Sequence, residues 1–349
     1  MPLTEFEIIQ KYFSNFASLA ARPEVVLGIG DDCAAVQVPD DQILCMSMDV
    51  LNAGVHFPEH SNPKLLAQRA MAVNLSDLAA MGAEPLCFTL GLSLAESDEA
   101  WLGEFSVGLA QMAAFYNCPL VGGDTTRGPL SIAIQVQGVV NSEKMIRRDR
   151  AQAGDLICVT GTLGNAALAL AAMGIAVHFD NDLHTQLPEL PVQTKEFLEA
   201  SFFTPQPRLK FARDAAGLVS AGIDISDGLA GDLGHVLRAS RVGATIDIAA
   251  LPFHQCVEEI TTEAQRNCAA LYGGDDYELC LTVPAPHFDQ LQQIAQQHEL
   301  LLTQIGVVES EPGLRALGSI NKSGTDNNGA NNSNELLSSS FTHFKTGDA

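Results

Sequence analysis

The sequence predicts a two-domain protein of mixed α/β (α+β) class. Three observations predict it. The chain has 349 residues, about two domains at roughly 100–200 residues each. Hydrophobic residues make up 46% and Gly, Pro and Ser do not dominate, so packed cores are possible and wholesale disorder is not expected. Helical and strand-like periodicities alternate along the chain, and the pattern restarts near residue 150. Domains over 1–145 and 146–349 follow.

Thr4-x-x-Glu7 predicts a capping box opening a helix, with Phe6, Ile9, Phe13 and Phe16 on one face. A glycine-flanked acidic turn, Gly28-Ile29-Gly30-Asp31-Asp32, comes next. Ile43 to Met48 reads as a strand ending at Asp49. Asn62-Pro63 starts a long helix to about Met81, stopped by Gly82. Leu86 to Leu94 is strand-like, and Asp98 caps a helix through Tyr116. Pro119-Leu120-Val121 is a short strand leading into Gly122-Gly123-Asp124. Ser131 to Val140 alternates as a half-exposed strand does. In the second half, Leu156 to Thr160 is a strand before Gly161-Thr162-Leu163-Gly164 and an Ala-rich helix. The polar stretch 178–192 reads as an irregular insert, and Thr204-Pro205-Gln206-Pro207 as a rigid turn before a helix. Ile223 to Ile225 is strand-like and Gly228 to Ala239 helical. Tyr277 to Val283 and Leu300 to Val308 are strands around a helix near 286–298. Residues 319–340 are rich in Asn, Ser and Gly, a composition expected of a flexible segment, and Phe341 to Phe344 is aromatic again.

The formal net charge is −23. Nucleic acid and anionic membranes repel such a surface, so neither is expected as a partner. The N-terminus has no basic, apolar leader, and the apolar run Ala166 to Val177 is too short for a bilayer, which needs about 20 residues. The eight Cys form no CxxC pair, so free thiols in a reducing cytoplasm are expected and a zinc–thiolate site is not. His56 and His60 have the spacing of a helical zinc pair, but Pro58 between them opposes a helix.

The acidic residues are placed unevenly. Asp31, Asp32, Asp49, Asp124, Asp224, Asp227, Asp275 and Asp276 stand at apparent strand ends or Gly-rich turns, and Asp77 follows Asn74-x-Ser76 in a helical segment. Glycine lets the backbone approach a ligand closely, and carboxylates with hydroxyls suit hard cations, above all magnesium. Taken singly, each Asp reads as a turn former; taken together they read as a metal cradle. No GxxxxGK[ST] and no GxGxxG occur, so phosphate binding would need metals and scattered cations: Arg69, Arg127, Arg147, Arg148 and Arg150. No GxSxG supports a serine hydrolase.

Several segments together resemble the thiamine-monophosphate kinase family: GIGDDCAA at 28–35, MDVLNAGVHF at 48–57, AVNLSDLAAMGAEP at 72–85, VGGDTTRGPLSI at 121–132, AGDLICVTGTLGNAA at 153–167, TPQPR at 204–208, IDISDGLAGDLGH at 223–235 and GGDDYEL at 273–279. GIGDD alone marks only the wider superfamily, which resembles aminoimidazole-ribotide synthetase and selenophosphate synthetase. The resemblance implies transfer of the γ-phosphoryl of ATP to thiamine monophosphate, giving thiamine diphosphate and ADP, with several Mg ions. It implies a homodimer through the N-terminal domain, with the C-terminal domain covering the cleft. By motif, Asp31, Asp32, Ser47, Asp49, Asp77, Asp124, Asp224 and Asp227 would hold magnesium. Gly123, Asp124, Arg148 and Ser226 would lie at ATP, and His56, Asp275 and Phe341 at the thiamine substrate. Because an acceptor phosphate is already ionised near neutral pH, no dedicated general base and no phosphoenzyme are expected. The alternatives are another ATP-dependent enzyme of the superfamily, or a non-catalytic divalent-ion or nucleotide-binding protein.

Overall fold

A computed structural model describes residues 3–14, 22–175, 187–318 and 335–336. The chain divides into two compact units, Met1–Met145 and Ile146–Ala349. Phe341 and nearly all of the Asn/Ser-rich segment lie outside the described residues.

In the first unit, α1 (Glu5–Ile8) opens on the expected capping box, with Thr4 and Glu7 bonding reciprocally. It then widens into a π-helical turn, Ile9–Phe13. That changes the buried face: Ile8 and Phe13, five residues apart, are buried, whereas Phe6 is exposed. A two-stranded ribbon, β1 (Val25–Leu27) and β2 (Ala35–Val36), precedes β3 (Gln42–Asn52). Helix α2 (Pro63–Ala80) starts where expected, Asn62 Oδ1 accepting the Leu65 N–H. Then come β4 (Glu84–Leu94), α3 (Glu99–Phe115) capped by Asp98, β5 (Leu120–Arg127) and β6 (Ser131–Asn141). The sheet order is β3-β6-β4-β5, antiparallel except for β4 and β5, whose parallel pairing needs the crossover that α3 supplies. Helix α2 packs on β3, β6 and α3. It buries Ile132, Ile134 and Val136 of β6 and Phe88, Leu90 and Leu92 of β4.

Two expectations are corrected here. Asp49 does not end a strand: β3 runs three residues further, in register with β6 from Gln42↔Asn141 to Asn52↔Ser131. Gly122-Gly123-Asp124 is not a turn but the middle of β5, in ladder with Thr89, Leu90 and Gly91. Glycines and Asp mark turns locally, but cross-strand pairing overrides the local preference.

The second unit contains β7 (Leu156–Thr160), α4 (Asn165–Ala172), α5 (Val192–Phe203), α6 (Leu209–Ala215), β8 (Ala221–Asp224), α7 (Leu229–Ser240), β9 (Gly243–Asp247), α8 (Gln255–Ile260), α9 (Glu263–Tyr272), β10 (Leu279–Val283), α10 (Phe288–Gln297), β11 (Leu302–Glu309), β12 (Gly313–Leu317) and β13 (Glu335–Leu336). The sheet order is β13-β12-β9-β11-β7-β10-β8, with β9 and β12 the parallel pair. Helices α5, α8 and α9 and strands β9 and β12 were not expected. Strand β9, Gly-Ala-Thr-Ile-Asp, carries little periodic signal, yet pairing on both edges buries Ala244 and Ile246 completely. Among the described residues no helix is long and apolar enough to cross a membrane.

Candidate functional site

In the first unit, Ser47 and Asp49 alternate along β3 and share the face turned to α2. Ser47 Oγ donates to Asp77 Oδ2 at 2.5 Å. The Asp49 N–H donates to Asn74 Oδ1 at 2.9 Å, and Asn74 is fixed in turn by its Nδ2 donating to Ala70 O at 2.8 Å. Asn74 and Asp77, three apart on α2, therefore meet alternate residues of one strand. Met48, between the two site residues, is 54% exposed on the opposite face.

Asp31, Asp32, Gly123 and Asp124 line a second feature, a cavity of about 1030 Å³. Phe6, Ile9, Phe13, Val36 and Leu44 also line it, together with polar residues such as Gln10, Ser14, Thr89 and Gln137. Such a lining offers apolar area for a ring and carboxylates for a cation. By register, Asp124 shares a sheet face with Gly91 and Ala133, opposite that of Ser47 and Asp49. The expected metal residues of this unit thus form two groups. His56 sits in the turn after β3, where its Nδ1 accepts the Asn52 N–H at 3.0 Å. That leaves the ring proton on Nε2. The segment holding His56 and His60 is turn, not helix.

In the second unit, Asp224 ends β8, only 3% exposed, and the chain passes through Ile225, Ser226 and Asp227 into α7. A second segment, 273–278, is laced to this one. The Asp275 N–H donates to Ser226 O, the Tyr277 N–H to Ile225 O and the Ile225 N–H to Glu278 O, each at 2.8 Å. Ser226, Asp227 and Asp275 are so brought together. The charge of Arg148 acts on Asp232 and His235 beside them. Among the other candidate cations, Arg69 is buried in α2 and Arg147 is engaged by Asp149 at 2.5 Å, whereas Arg127, Arg148 and Arg150 are exposed.

Two buried carboxyls do not follow from the sequence reading as site supports. Asp232 Oδ2 accepts the N–H groups of Ser226 at 3.0 Å and Asp227 at 2.9 Å. Burial pushes its carboxyl up to about 7, against those hydrogen bonds. Asp276, grouped with the cradle by sequence, is turned to the start of α4: its Oδ2 accepts the Gly164 N–H at 2.7 Å, and its Oδ1 is buried. Burial raises its carboxyl to about 8, against the Gly164 hydrogen bond and with help from the charge of Glu278. Glu278 in turn is clamped by Arg208 and by Thr160 Oγ1, at 2.6 Å from the latter. So Arg208 of TPQPR and Glu278 of GGDDYEL are structural partners. The signal that could have separated these acids is position: Asp232 lies in the first turn of a helix.

Asp276 makes stability pH-dependent. Its folded pKa is raised above the ordinary 3.8, so the folded chain holds a proton that the unfolded chain releases. Its contribution is fully present below 3.8 and is lost as pH rises toward about 8. Asp232 acts in the same direction. Asp276→Asn keeps an acceptor for Gly164 and removes the ionisation, so thermal melting temperature falls less steeply between pH 5 and 9 than in the parent chain. An unchanged slope in melts across that range contradicts the assignment.

Residues 30–140 match the AIR synthase related protein N-terminal domain, and residues 152–318 the corresponding C-terminal domain. Over 284 residues the chain is 43% identical to the thiamine-monophosphate kinase of Escherichia coli O157:H7, covering 81% of this chain and 84% of that one. The crystal structure of thiamine-monophosphate kinase from Stenotrophomonas maltophilia K279a superposes with a TM-score of 0.80 at 38% identity, over 92% of this chain and 99% of that one. AaThiL complexed with AMPPCP and TMP superposes with a TM-score of 0.68 at 28% identity, over 82% and 87%. Two AIR-synthase-related domains in family order, with relatives of one activity matched over most of their length, identify the chain as a member of the thiamine-monophosphate kinase family.

Proposed function

We propose that the chain transfers the γ-phosphoryl of ATP directly to the phosphate of thiamine monophosphate, giving thiamine diphosphate and ADP. The observation that carries this is the cavity of the first unit, whose lining joins apolar side chains such as Phe6, Phe13 and Leu44 with Asp31, Asp32, Gly123 and Asp124. That lining suits a nucleotide whose phosphates come with metal. The relative complexed with AMPPCP and TMP supports the same pair of ligands.

Magnesium fits the donors present. Ser47 Oγ and the carboxylates of Asp49 and Asp77 are hard oxygen ligands on one face of the first sheet; Asp31, Asp32 and Asp124 offer carboxylates at the cavity, and Asp224 and Asp227 do so within the second unit. Among the described residues, no three His, Cys, Asp or Glu side chains gather as a ready metal cage. Magnesium is commonly held by one or two carboxylates, with water and substrate phosphates completing its octahedron. When bound, it neutralises phosphate charge and aligns the oxygens of an in-line displacement. The residues then have the task of placement. In the first unit Gly123 and Asp124 are assigned to ATP and His56 to thiamine; in the second, Arg148 and Ser226 are assigned to ATP and Asp275 to thiamine. The acceptor phosphate is ionised already, so no side chain needs to remove a proton.

A homodimer through the first unit is part of this reading. Met46, Met48 and Val50 alternate along β3 and are 63%, 54% and 44% exposed. An apolar strip of this kind on a sheet face favours cover by a second copy. All eight cysteines are free, which supports a reducing, cytoplasmic setting. The test is magnesium-dependent consumption of ATP with thiamine monophosphate but not with thiamine. ATP loss that ignores the phosphorylated acceptor contradicts the proposal.

A further inference from the structure

The N-terminal helix contributes to the cavity of the first unit through an unusual turn. After Ile8 the helix widens, and the Ser14 N–H reaches Ile9 O, five residues back. Turns of this width are rare and recur at functional sites. Ile9, Gln10, Phe13 and Ser14 all line the cavity, as does Phe6. Lys11 and Tyr12 instead bond Glu99 at the start of α3: Lys11 Nζ lies 2.5 Å from Glu99 Oε2, and Tyr12 Oη donates to Glu99 O at 3.3 Å. The turn is thus held to α3 while its other residues meet the cavity. The polar groups of the lining are not equally available. Ser14 Oγ donates its proton to Gln10 O at 2.6 Å. Gln137 accepts from Cys87 Sγ at 3.3 Å and donates to Gln135 Oε1 at 3.1 Å. The side-chain amide of Gln10, by contrast, has no hydrogen-bond partner among the described residues.

We propose that Gln10 is a specificity residue that reads the base of the nucleotide. The inference rests on the assignment of this cavity to ATP and deepens it. No Lys or Arg lines the cavity, and its carboxylates are Asp31, Asp32 and Asp124. Metal and phosphate belong with those three, and an uncharged ring belongs with apolar side chains such as Ile9 and Phe13. Gln10 stands in the same turn as those two. Its amide carries an acceptor and a donor side by side. Adenine presents the matching pair, the 6-amino donor and the N7 acceptor, and one glutamine bonds both at once. Guanine presents acceptors at both positions, which sets the amide oxygen against another oxygen. The uncommitted amide therefore selects ATP over GTP.

Steady-state kinetics of the intact chain with ATP and with GTP test this. Gln10→Met keeps the length of the side chain and removes both polar groups. It is expected to lower kcat/KM for ATP about tenfold, the scale of one bidentate amide–base pair. The value for GTP, the KM for thiamine monophosphate and the melting temperature stay at their parental values, so the preference for ATP over GTP shrinks about tenfold. An equal fall with both nucleotides, or no fall with ATP, overturns the role of Gln10. So does a rise in KM for thiamine monophosphate with ATP kinetics unchanged, which would place the acceptor at this turn. If the parent chain does not phosphorylate thiamine monophosphate, the functional reading fails separately, and calorimetric binding of magnesium–ATP decides for Gln10. A Kd about tenfold weaker in Gln10→Met then supports the base contact, and equal Kd values overturn it.

Discussion

Asp49→Asn lowers kcat by about 100-fold and raises the magnesium concentration for half-maximal rate by about tenfold, the scale seen when a site loses one charge-stabilising group. The substitution isolates charge. Asn has the volume of Asp, and the backbone stays where Asn74 Oδ1 holds its N–H at 2.9 Å. Strand β3 remains paired with β6 through Asp49↔Ile134. What changes is one negative charge beside the Ser47–Asp77 pair, and the divalent cation proposed for this face is the species most sensitive to that loss. The effect is strongest at limiting magnesium and partly relieved by excess metal. Full turnover of Asp49→Asn at limiting magnesium would show that this face of β3 holds no metal.

Gly123→Ala destabilises the first unit by about 2 kcal/mol, as overpacking does, and raises KM for ATP more than tenfold. A Cβ at Gly123 meets the Leu90 carbonyl oxygen at 1.9 Å and the Leu90 nitrogen at 2.9 Å, both backbone atoms of β4 that cannot swing aside. The position also has φ +153°, which L side chains rarely adopt. β5 must therefore move away from β4, carrying Asp124 with it. Gly122 is the internal control. A Cβ there finds only Thr89 Cγ2 at 4.0 Å, so Gly122→Ala keeps its melting temperature near the parental value. Thermal melts and ATP titrations of the two variants distinguish adjacent glycines that look identical in sequence. Equal melting temperatures would mean that close approach of β4 and β5 does not set the position of Asp124 at the cavity.

That pair shows what the sequence could and could not express. The capped helices were legible because their signals are local: Asn62-Pro63 and Asp98 start α2 and α3 where their side chains accept backbone N–H groups. The resemblance assigns Ser47 and Asp77 to magnesium, but their contact joins residues 30 apart, and no local spacing reveals it. Gly and Asp interrupt strands locally, so in sequence Asp49 and Asp124 read as strand ends. The ladders with β6 and β4 are long-range and carry the strands through them. Asp276 and Asp275 are neighbours in one motif, yet the Asp276 carboxylate accepts from Gly164 at the start of α4, while the Asp275 N–H donates to Ser226 O. Partners separate their chemistry, and partners are decided by packing that no single motif encodes. The same applies to Glu278, whose charge is absorbed by Arg208 from 70 residues away.

The most direct test follows the phosphoryl group itself. The purified chain is mixed with γ-labelled ATP, magnesium and thiamine monophosphate in a single turnover, with thiamine as the control acceptor. The account predicts label in thiamine diphosphate, ADP as the other product, no label on protein at any time, and no transfer to thiamine. Labelled protein that passes its phosphate on to product, or label released only as inorganic phosphate, would contradict it.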